Sequence, residues 1–466
     1  MSDYDLAILG AGAAGLIAAD FALQLGARVA LIEKDRIGGD CTWTGCVPSK
    51  SLLRAARTAQ EARRATRMGV RLDGASVSLP QVRQYLRGTI QQIYEPTAPE
   101  SLRARGLHVF VGPCHFADRF TLQCDGHPIR ARRILISTGA VPRIPGIPGL
   151  DTVPYHTYLT IFENERMPQH LIVVGGGPVG CEVAQAYRRL GAKVTLFASR
   201  LLPREDPEVS QLMQEVFARE GIEHVPARAD SVRDEGGWAA VQSAVKSTRG
   251  DLLLIATGRV PAVRGLRLEL AGVRYSDAGV EVNSHLQTSA RTIYAAGDVT
   301  GAPQYSHLAG WQGFQAVRNA LLPGSASGQP EVVPRVTFTS PEVAHAGLTE
   351  AEARARYGSA LLTRILPLSK VDRAVNDDDR NGFFKMHVTR RGKIVGATIV
   401  AERGGEAITE IVLAMRNRIR IDDLAATVHP YPTYNSGIQT LATQMVMEKT
   451  LAGWQGTLLR RFARKG

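Results

Sequence analysis

The chain has 466 residues, 44% hydrophobic and 21% charged, with a formal net charge of +12. That is too long for one small core and implies two to four domains of soluble globular composition. Five cysteines cannot make a disulfide framework at this size, and no apolar run is long enough to span a bilayer. The expected compartment is therefore a reducing cytoplasm.

The excess of positive charge comes with no DNA- or RNA-binding motif. It is expected to draw in pyrophosphate-bearing cofactors rather than nucleic acid.

The first apolar stretch, Leu6 to Leu23, follows Asp3 and Asp5 and is broken by Gly10, Gly12 and Gly15. It reads as strand, turn and helix rather than as a signal peptide. Its glycines form G-x-G-x-x-G. A helix then runs to Gly26, and a second strand, Arg28 onward, ends in Glu33. Strand, glycine turn, helix and acid-ending strand together make a dinucleotide-binding unit with the pyrophosphate at the helix N-terminus.

Immediately downstream lies Gly38-Gly39-Asp40-Cys41-Thr42-Trp43-Thr44-Gly45-Cys46-Val47-Pro48-Ser49-Lys50. Cys46 opens a predicted helix, where the N-terminus favours a thiolate. The four residues between Cys41 and Cys46 allow a disulfide across one turn. Lys50 lies one helical turn beyond Cys46.

Cys114 and Cys124 flank a predicted hairpin between Gly112 and Gly126 and are expected to be two ordinary buried cysteines, with a second redox pair as the alternative. An apolar strand from Ile134 reaches Ser137-Thr138-Gly139. The second nucleotide unit begins at Leu171, with Gly175, Gly177 and Gly180 in its turn, followed by Cys181 and Glu182 and a strand Lys193 to Phe197. Glu33 lies 23 residues beyond Gly10, and the same step from Gly175 reaches Ala198, followed by Ser199 and Arg200. An acid at that point would repel a 2′-phosphate, and an arginine would attract one, so NADPH is expected over NADH.

A third glycine-ended strand, from Leu252, closes this unit at Gly258. Thr292 to Asp298 follows, its carboxylate able to accept hydrogen bonds from sugar-like hydroxyls. His307, near a helix start, is expected either to line a cofactor pocket or to be a satisfied core histidine. Gly324 to Pro334 reads as a linker, with a strand-rich domain carrying two helical stretches after it. The basic cluster Arg460, Arg461, Arg464 and Lys465 is expected to be solvated, with weak membrane-surface contact as the alternative. No His/Cys cluster has structural-zinc spacing.

These pieces, in this order, resemble the pyridine nucleotide–disulfide oxidoreductases over nearly the whole chain. The segments Arg204-Glu-Asp-Pro207, Val371-Asp-Arg-Ala374, Val412 to Arg418 and Pro430-Tyr431 are similar to the catalytic core of the mercuric reductase branch. The resemblance implies an α/β chain with two Rossmann-like dinucleotide-binding domains and a C-terminal α+β interface domain. The boundaries are 1–150 for FAD, 151–275 for NAD(P), 276–334 for a central segment and 335–466 for the interface. It also implies FAD as prosthetic group and a homodimer whose active site borrows residues from the partner. In that scheme Glu33 meets the adenosine ribose, Asp298 the ribityl chain, and Thr138, Gly139 and Gly258 the cofactors. Cys46 faces the flavin and Cys41 the substrate, and Lys50 pairs with Glu182 near the ring. Cys41 and Cys46 would be transient ligands of a metal-ion substrate.

The chain departs from the disulfide-reducing members at His429-Pro430-Tyr431-Pro432-Thr433-Tyr434-Asn435-Ser436. Tyr431 stands where those members carry a histidine acid, and Ser436 stands for its glutamate. Tyrosine, with an ordinary pKa of about 10, is a poor proton shuttle at neutral pH. An organic disulfide needs that proton, whereas a thiolate-bound metal ion needs only ligation and electrons. His429 is the lesser candidate acid, restricted by its neighbouring prolines. The mercuric reductase branch also carries a C-terminal cysteine pair, yet no cysteine follows Cys181 here. The expected reaction is NAD(P)H-dependent reduction of a thiol-liganded metal ion. The alternatives are reduction of a small-molecule or protein disulfide, and a slow redox-sensing flavoprotein.

Overall fold

The computed structural model describes residues 3–72, 76–301 and 303–464, so Lys465 of the basic cluster lies outside the described residues. The chain divides into two compact units. The first comprises 1–199 and 225–330, the second 200–224 and 331–466.

In the first unit, the strand Tyr4–Leu9 runs parallel to Val29–Glu33 on one side and to His127–Ile136 on the other. Leu6 pairs with Val29 and Arg133, and Ile8 with Leu31 and Leu135. The strand Ile293–Ala295 adds on beside His127–Ile136, which carries Asp298 to the same end of the sheet. Both faces of this sheet are buried, which is why its strands read as continuous apolar runs. Leu6, Ile8 and Leu31 pack on one side, Ala7, Ala30 and Ile32 on the other. The second nucleotide unit repeats the design with His170–Val174 between parallel strands Lys193–Phe197 and Leu252–Ile255.

The predicted hairpin forms from Cys114–Phe116 and Thr121–Cys124. Its cysteines are not the separate thiols expected. They face each other directly across the ladder, with Cα atoms 4.1 Å apart, and are joined as a disulfide. Directly opposed residues at a non-hydrogen-bonded position bring their side chains closest, and that placement makes the bond possible.

The second unit is built on a five-stranded antiparallel sheet. Its strand order is Arg335–Thr337, Glu342–Gly347, Ile394–Ala401, Phe383–Thr389 and Leu361–Pro367. Phe384, Met386 and Ile399 from the sheet meet Ile408 and Ile411 of the helix Gly404–Arg416 and Ile438 and Leu441 of Ser436–Leu451. Beyond these two expected helices are short ones, such as Glu350–Tyr357, started by a reciprocal Thr349/Glu352 capping box. They are too short to show a clear apolar period.

The helix Pro207–Glu220 also belongs to this unit. A fully buried lysine fastens it. Lys385 Nζ donates to Asp206 Oδ2 at 2.9 Å, Glu208 Oε1 at 3.0 Å and Glu350 Oε2 at 2.6 Å. Burial pushes the Asp206 carboxyl up, but His387 and Lys385 outweigh it and hold it well below the usual range. Among the described residues, no helix is long and apolar enough to cross a membrane.

Candidate active site

The two glycine turns are superimposable in their logic. A Cβ on Gly10 (φ +107°) would sit 2.4 Å from Ser137 O, and one on Gly15 would sit 1.9 Å from Gly10 O. In the second turn, a Cβ on Gly175 (φ +125°) would be 2.3 Å from Ala256 O, and one on Gly180 would be 1.9 Å from Gly175 O. The first and third glycines of each motif are thus dictated by close backbone approach. The middle ones are different: Gly12 has only Gly39 Cα at 3.9 Å, and Gly177 has nothing within 4 Å. That open face lies at the start of helices Ala13–Gln24 and Pro178–Leu190, which have no side-chain caps. Uncapped N–H groups beside a bare backbone form a cradle for a pyrophosphate, so these residues fit two dinucleotides.

Glu33 is buried and oriented by two backbone donors, Ala11 N at 2.8 Å to Oε2 and Asp35 N at 3.1 Å to Oε1. The corresponding Ala198 carries no charge. Arg200 directs its guanidinium inward, donating to Ser210 Oγ at 2.8 Å and to the Glu205 carbonyl. Thr138 Oγ1 donates to Ala262 O at 2.9 Å, and Gly139 and Gly258 turn the chain at φ +73° and +116°.

Cys46 is the first residue of the helix Cys46–Arg64, as expected, and Cys41 lies in the preceding short helix Gly39–Trp43. Both are thiols here, half-buried and hydrogen-bonded to each other. The bond favours the thiolate at Cys46 and the thiol at Cys41. The Cys41 hydrogen bond lowers the Cys46 pKa against the opposing effect of burial, with Ser306 and Lys50 adding to the drop. The Cys41 pKa rises for the complementary reason, its bond to Cys46, and burial pushes it further. Lys50 Nζ meets Glu182 Oε2 at 3.1 Å, joining the cysteine helix to the helix after the second glycine turn. The lysine side chain is 37% exposed and the glutamate 6%.

Ser306 was not anticipated. It is the first residue of the helix Ser306–Leu321, and its Oγ lies 3.3 Å from Cys46 Sγ. His307, next to it, is exposed and stacks on Tyr305 at 5.4 Å, so it is not a core histidine. Cys181 is fully buried, its Sγ 3.4 Å from Gly176 O.

A second buried group surrounds Asp298. Its Oδ2 accepts from Arg259 Nη1 at 2.8 Å, while Arg259 Nη2 donates to Gln304 O at 2.6 Å. Tyr158 Oη donates to Asp40 Oδ2 at 2.9 Å. Burial raises the pKa of both Asp40 and Asp298, Arg259 opposes the rise in each, and at Asp298 the Asp40 charge adds to it. Tyr158, Arg259 and Asp40 carry no sequence signal of their own. Only their meeting in space makes them a site, Asp40 coming from the helix Gly39–Trp43, Tyr158 from a turn and Arg259 from the strand Arg259–Pro261.

In the second unit, Tyr431 is exposed, and its Oη donates to Asp372 Oδ2 at 2.8 Å, which raises its pKa. Ser436 Oγ donates to the Thr433 carbonyl at 2.6 Å. His429 has a carboxylate partner from the helix Gly404–Arg416: its Nε2 lies 2.7 Å from Glu410 Oε1. Its Nδ1 faces Thr427 O at 2.9 Å, and Asn435 Nδ2 steadies Glu410 Oε2 at 2.7 Å. Each ring nitrogen of His429 thus faces an oxygen acceptor, Glu410 at one and the Thr427 carbonyl at the other.

Comparison with known proteins bears on the same features. Residues 4–313 match the pyridine nucleotide-disulphide oxidoreductase family, and residues 333–442 match its dimerisation domain. Mercuric reductase of Streptomyces lividans is 37% identical, the match covering 94% of this chain and 95% of that protein. Mercuric reductase of Staphylococcus aureus is 35% identical, covering 94% and 82%. Among solved structures, the Cu(II) complex of the HOCl-induced flavoprotein disulfide reductase RclA from Escherichia coli superposes with TM-score 0.86. It is 27% identical, with 95% of this chain and all of that one covered. LpdA from Mycobacterium tuberculosis also gives TM-score 0.86, at 32% identity, covering 94% and 99%.

Proposed function

The chain belongs to the pyridine nucleotide-disulphide oxidoreductase family, FAD-dependent enzymes with NAD(P)H as electron donor, and on that premise we propose that it reduces a thiol-liganded metal ion. The mercuric ion of its relatives' name is the first candidate, and the Cu(II) complex of RclA keeps other soft ions in view. The overall reaction balances simply. A hydride from the nicotinamide and one proton convert a bis-thiolate Hg(II) into elemental mercury and two free thiols.

FAD, when bound, supplies the two-electron link between the nicotinamide and the dithiol. Gly10, Gly12, Gly15, Glu33, Thr138, Gly139 and Asp298 would hold it, with Gly175, Gly177, Gly180, Ser199 and Gly258 holding the nicotinamide nucleotide; Arg200, expected there, is turned to Ser210 and Glu205 instead. The observation that carries the reading is the asymmetric thiol pair. Cys46 is poised as thiolate beside Lys50 and Ser306, while Cys41 keeps the proton. Cys41 loses that proton as its sulfur takes the metal and displaces a thiolate ligand, which leaves as free thiol. Lys50, with Glu182, supplies the fixed cation that stabilises negative charge near the thiolate. No histidine acid is required, which accords with Tyr431 in its place.

NADPH is the donor we infer. With Arg200 engaged by Ser210 and Glu205, the preference rests on Ala198, where no carboxylate repels a 2′-phosphate. The dimerisation-domain match supports a homodimer.

One observation favours a second reading, reduction of an organic disulfide: the carboxylate partner of His429, Glu410 at 2.7 Å. Purified holoprotein separates the two. NADPH oxidation driven by Hg(II) in excess thiol, and abolished by Cys41→Ser with Cys46→Ser, supports the metal. Oxidation driven only by lipoamide or oxidised glutathione selects the disulfide. Turnover with neither rejects both and leaves a slow redox-sensing flavoprotein.

A further inference from the structure

The helix Gly453–Ala463 lies beyond residue 442, where the dimerisation-domain match ends. Residues four apart share a helix face, so Trp454, Leu458 and Phe462 form one stripe, with Leu459 at its edge. All four are exposed, Trp454 at 74% and Phe462 at 67%. Met447 and Leu451, in the last turns of the preceding helix Ser436–Leu451, are exposed as well. An aromatic and aliphatic stripe left in water is unfavourable compared with the same side chains buried in an apolar phase.

The opposite face is cationic. Arg460 and Arg464 stand on it, Arg461, three residues after Leu458, flanks the stripe, and no acidic side chain follows Glu448 in the sequence. This charge decides between occupants. A second copy of the helix would cover the apolar stripe but would set two wholly cationic segments side by side, with no acid to offset the repulsion. An anionic lipid surface accepts both faces: the stripe enters the acyl boundary, while the arginines reach phosphate groups. Trp454 at the helix start suits the headgroup level, where an amphipathic ring is favoured.

We propose that the helix Gly453–Ala463 is an interfacial anchor that docks the protein on an anionic phospholipid bilayer without crossing it. None of its residues is among those placed at the thiol pair, so anchoring and catalysis are expected to be separable.

The test is co-sedimentation of the full-length holoprotein with vesicles of phosphatidylcholine containing phosphatidylglycerol, against pure phosphatidylcholine vesicles. Binding is expected only to the anionic vesicles, falling steeply with salt. Arg460→Glu with Arg461→Glu and Arg464→Glu should lower the partition coefficient on the order of a hundredfold or more. Arg→Lys at the same three positions should largely restore it. Leu458→Glu with Phe462→Glu should also abolish binding. Every variant should keep bound FAD and the wild-type rate of NADPH oxidation by its acceptor. Three results would overturn the proposal. One is no binding to anionic vesicles. Another is equal binding to neutral vesicles. The third is a fall in particle mass for Leu458→Glu with Phe462→Glu, which would assign the stripe to a second copy.

Discussion

Replacing Ser306 by alanine removes a hydroxyl that lies 3.3 Å from Cys46 Sγ. Ser306 begins its helix, and alanine is at least as good a helix former, so the helix and its dipole survive. Only the hydrogen bond is lost. Bonds to a charged acceptor contribute about 1.5–3 kcal/mol, and a 3.3 Å contact to a half-buried sulfur belongs at the low end. One pKa unit corresponds to about 1.4 kcal/mol, so the Cys46 pKa should rise by about one unit. The sign follows from the thiolate being the hydrogen-bonded form: losing the donor disfavours it. The assay is ultraviolet thiolate absorbance against pH in a Cys41→Ser background, which removes the competing thiol. Ser306→Thr keeps the hydroxyl and should titrate like the parent. An unchanged curve for Ser306→Ala would refute the claim that this serine tunes the thiolate.

Lys50→Met should leave Glu182 buried beside an apolar chain. Because the lysine is partly exposed, the loss should be about 2 kcal/mol in urea unfolding rather than the 3–5 kcal/mol of a fully buried pair. Gly15→Ala should yield colourless protein, since its Cβ meets the Gly10 carbonyl. Gly177→Ala, facing open space, should fold normally and raise the KM for NADPH. His429→Gln should cut lipoamide-driven turnover at least tenfold and leave Hg(II)-driven turnover unchanged, read in parallel NADPH assays. Tyr431→His should do the reverse to the first activity and raise it. In a Cys41→Ser, Cys46→Ser chain, denatured without reductant, thiol titration should find Cys181 alone, the hairpin pair being joined.

Features within one strand–turn–helix unit were legible from the residues. The glycine turns, Cys46 at a helix start and the missing acid at Ala198 depend on neighbours close in the chain. Lys50 with Glu182 came through resemblance, and the 3.1 Å contact is what one helix lying against another produces. Ser306 was invisible because it lies 260 residues from Cys46 and has no motif around it. Glu410 was hidden similarly. The search for a histidine's partner followed the loop to Ser436, whereas the carboxylate comes from a helix earlier in the chain. The Cys114–Cys124 hairpin could be read, but its pairing could not. A shift of one residue in register would have turned the sulfurs to opposite faces.

The Lys385 cluster has a practical consequence for dissecting the molecule. Its partners Asp206 and Glu208 come from a stretch that the chain visits more than a hundred residues before the sheet. No single cut in the gene releases the second unit intact. A fragment starting near residue 331 would leave an ammonium group in an apolar interior with one carboxylate, Glu350, as counter-ion. Independent folding would require 200–224 to be spliced onto it by a linker, and in the shorter piece, which lacks Asp206 and Glu208, Lys385→Met is the substitution to try first.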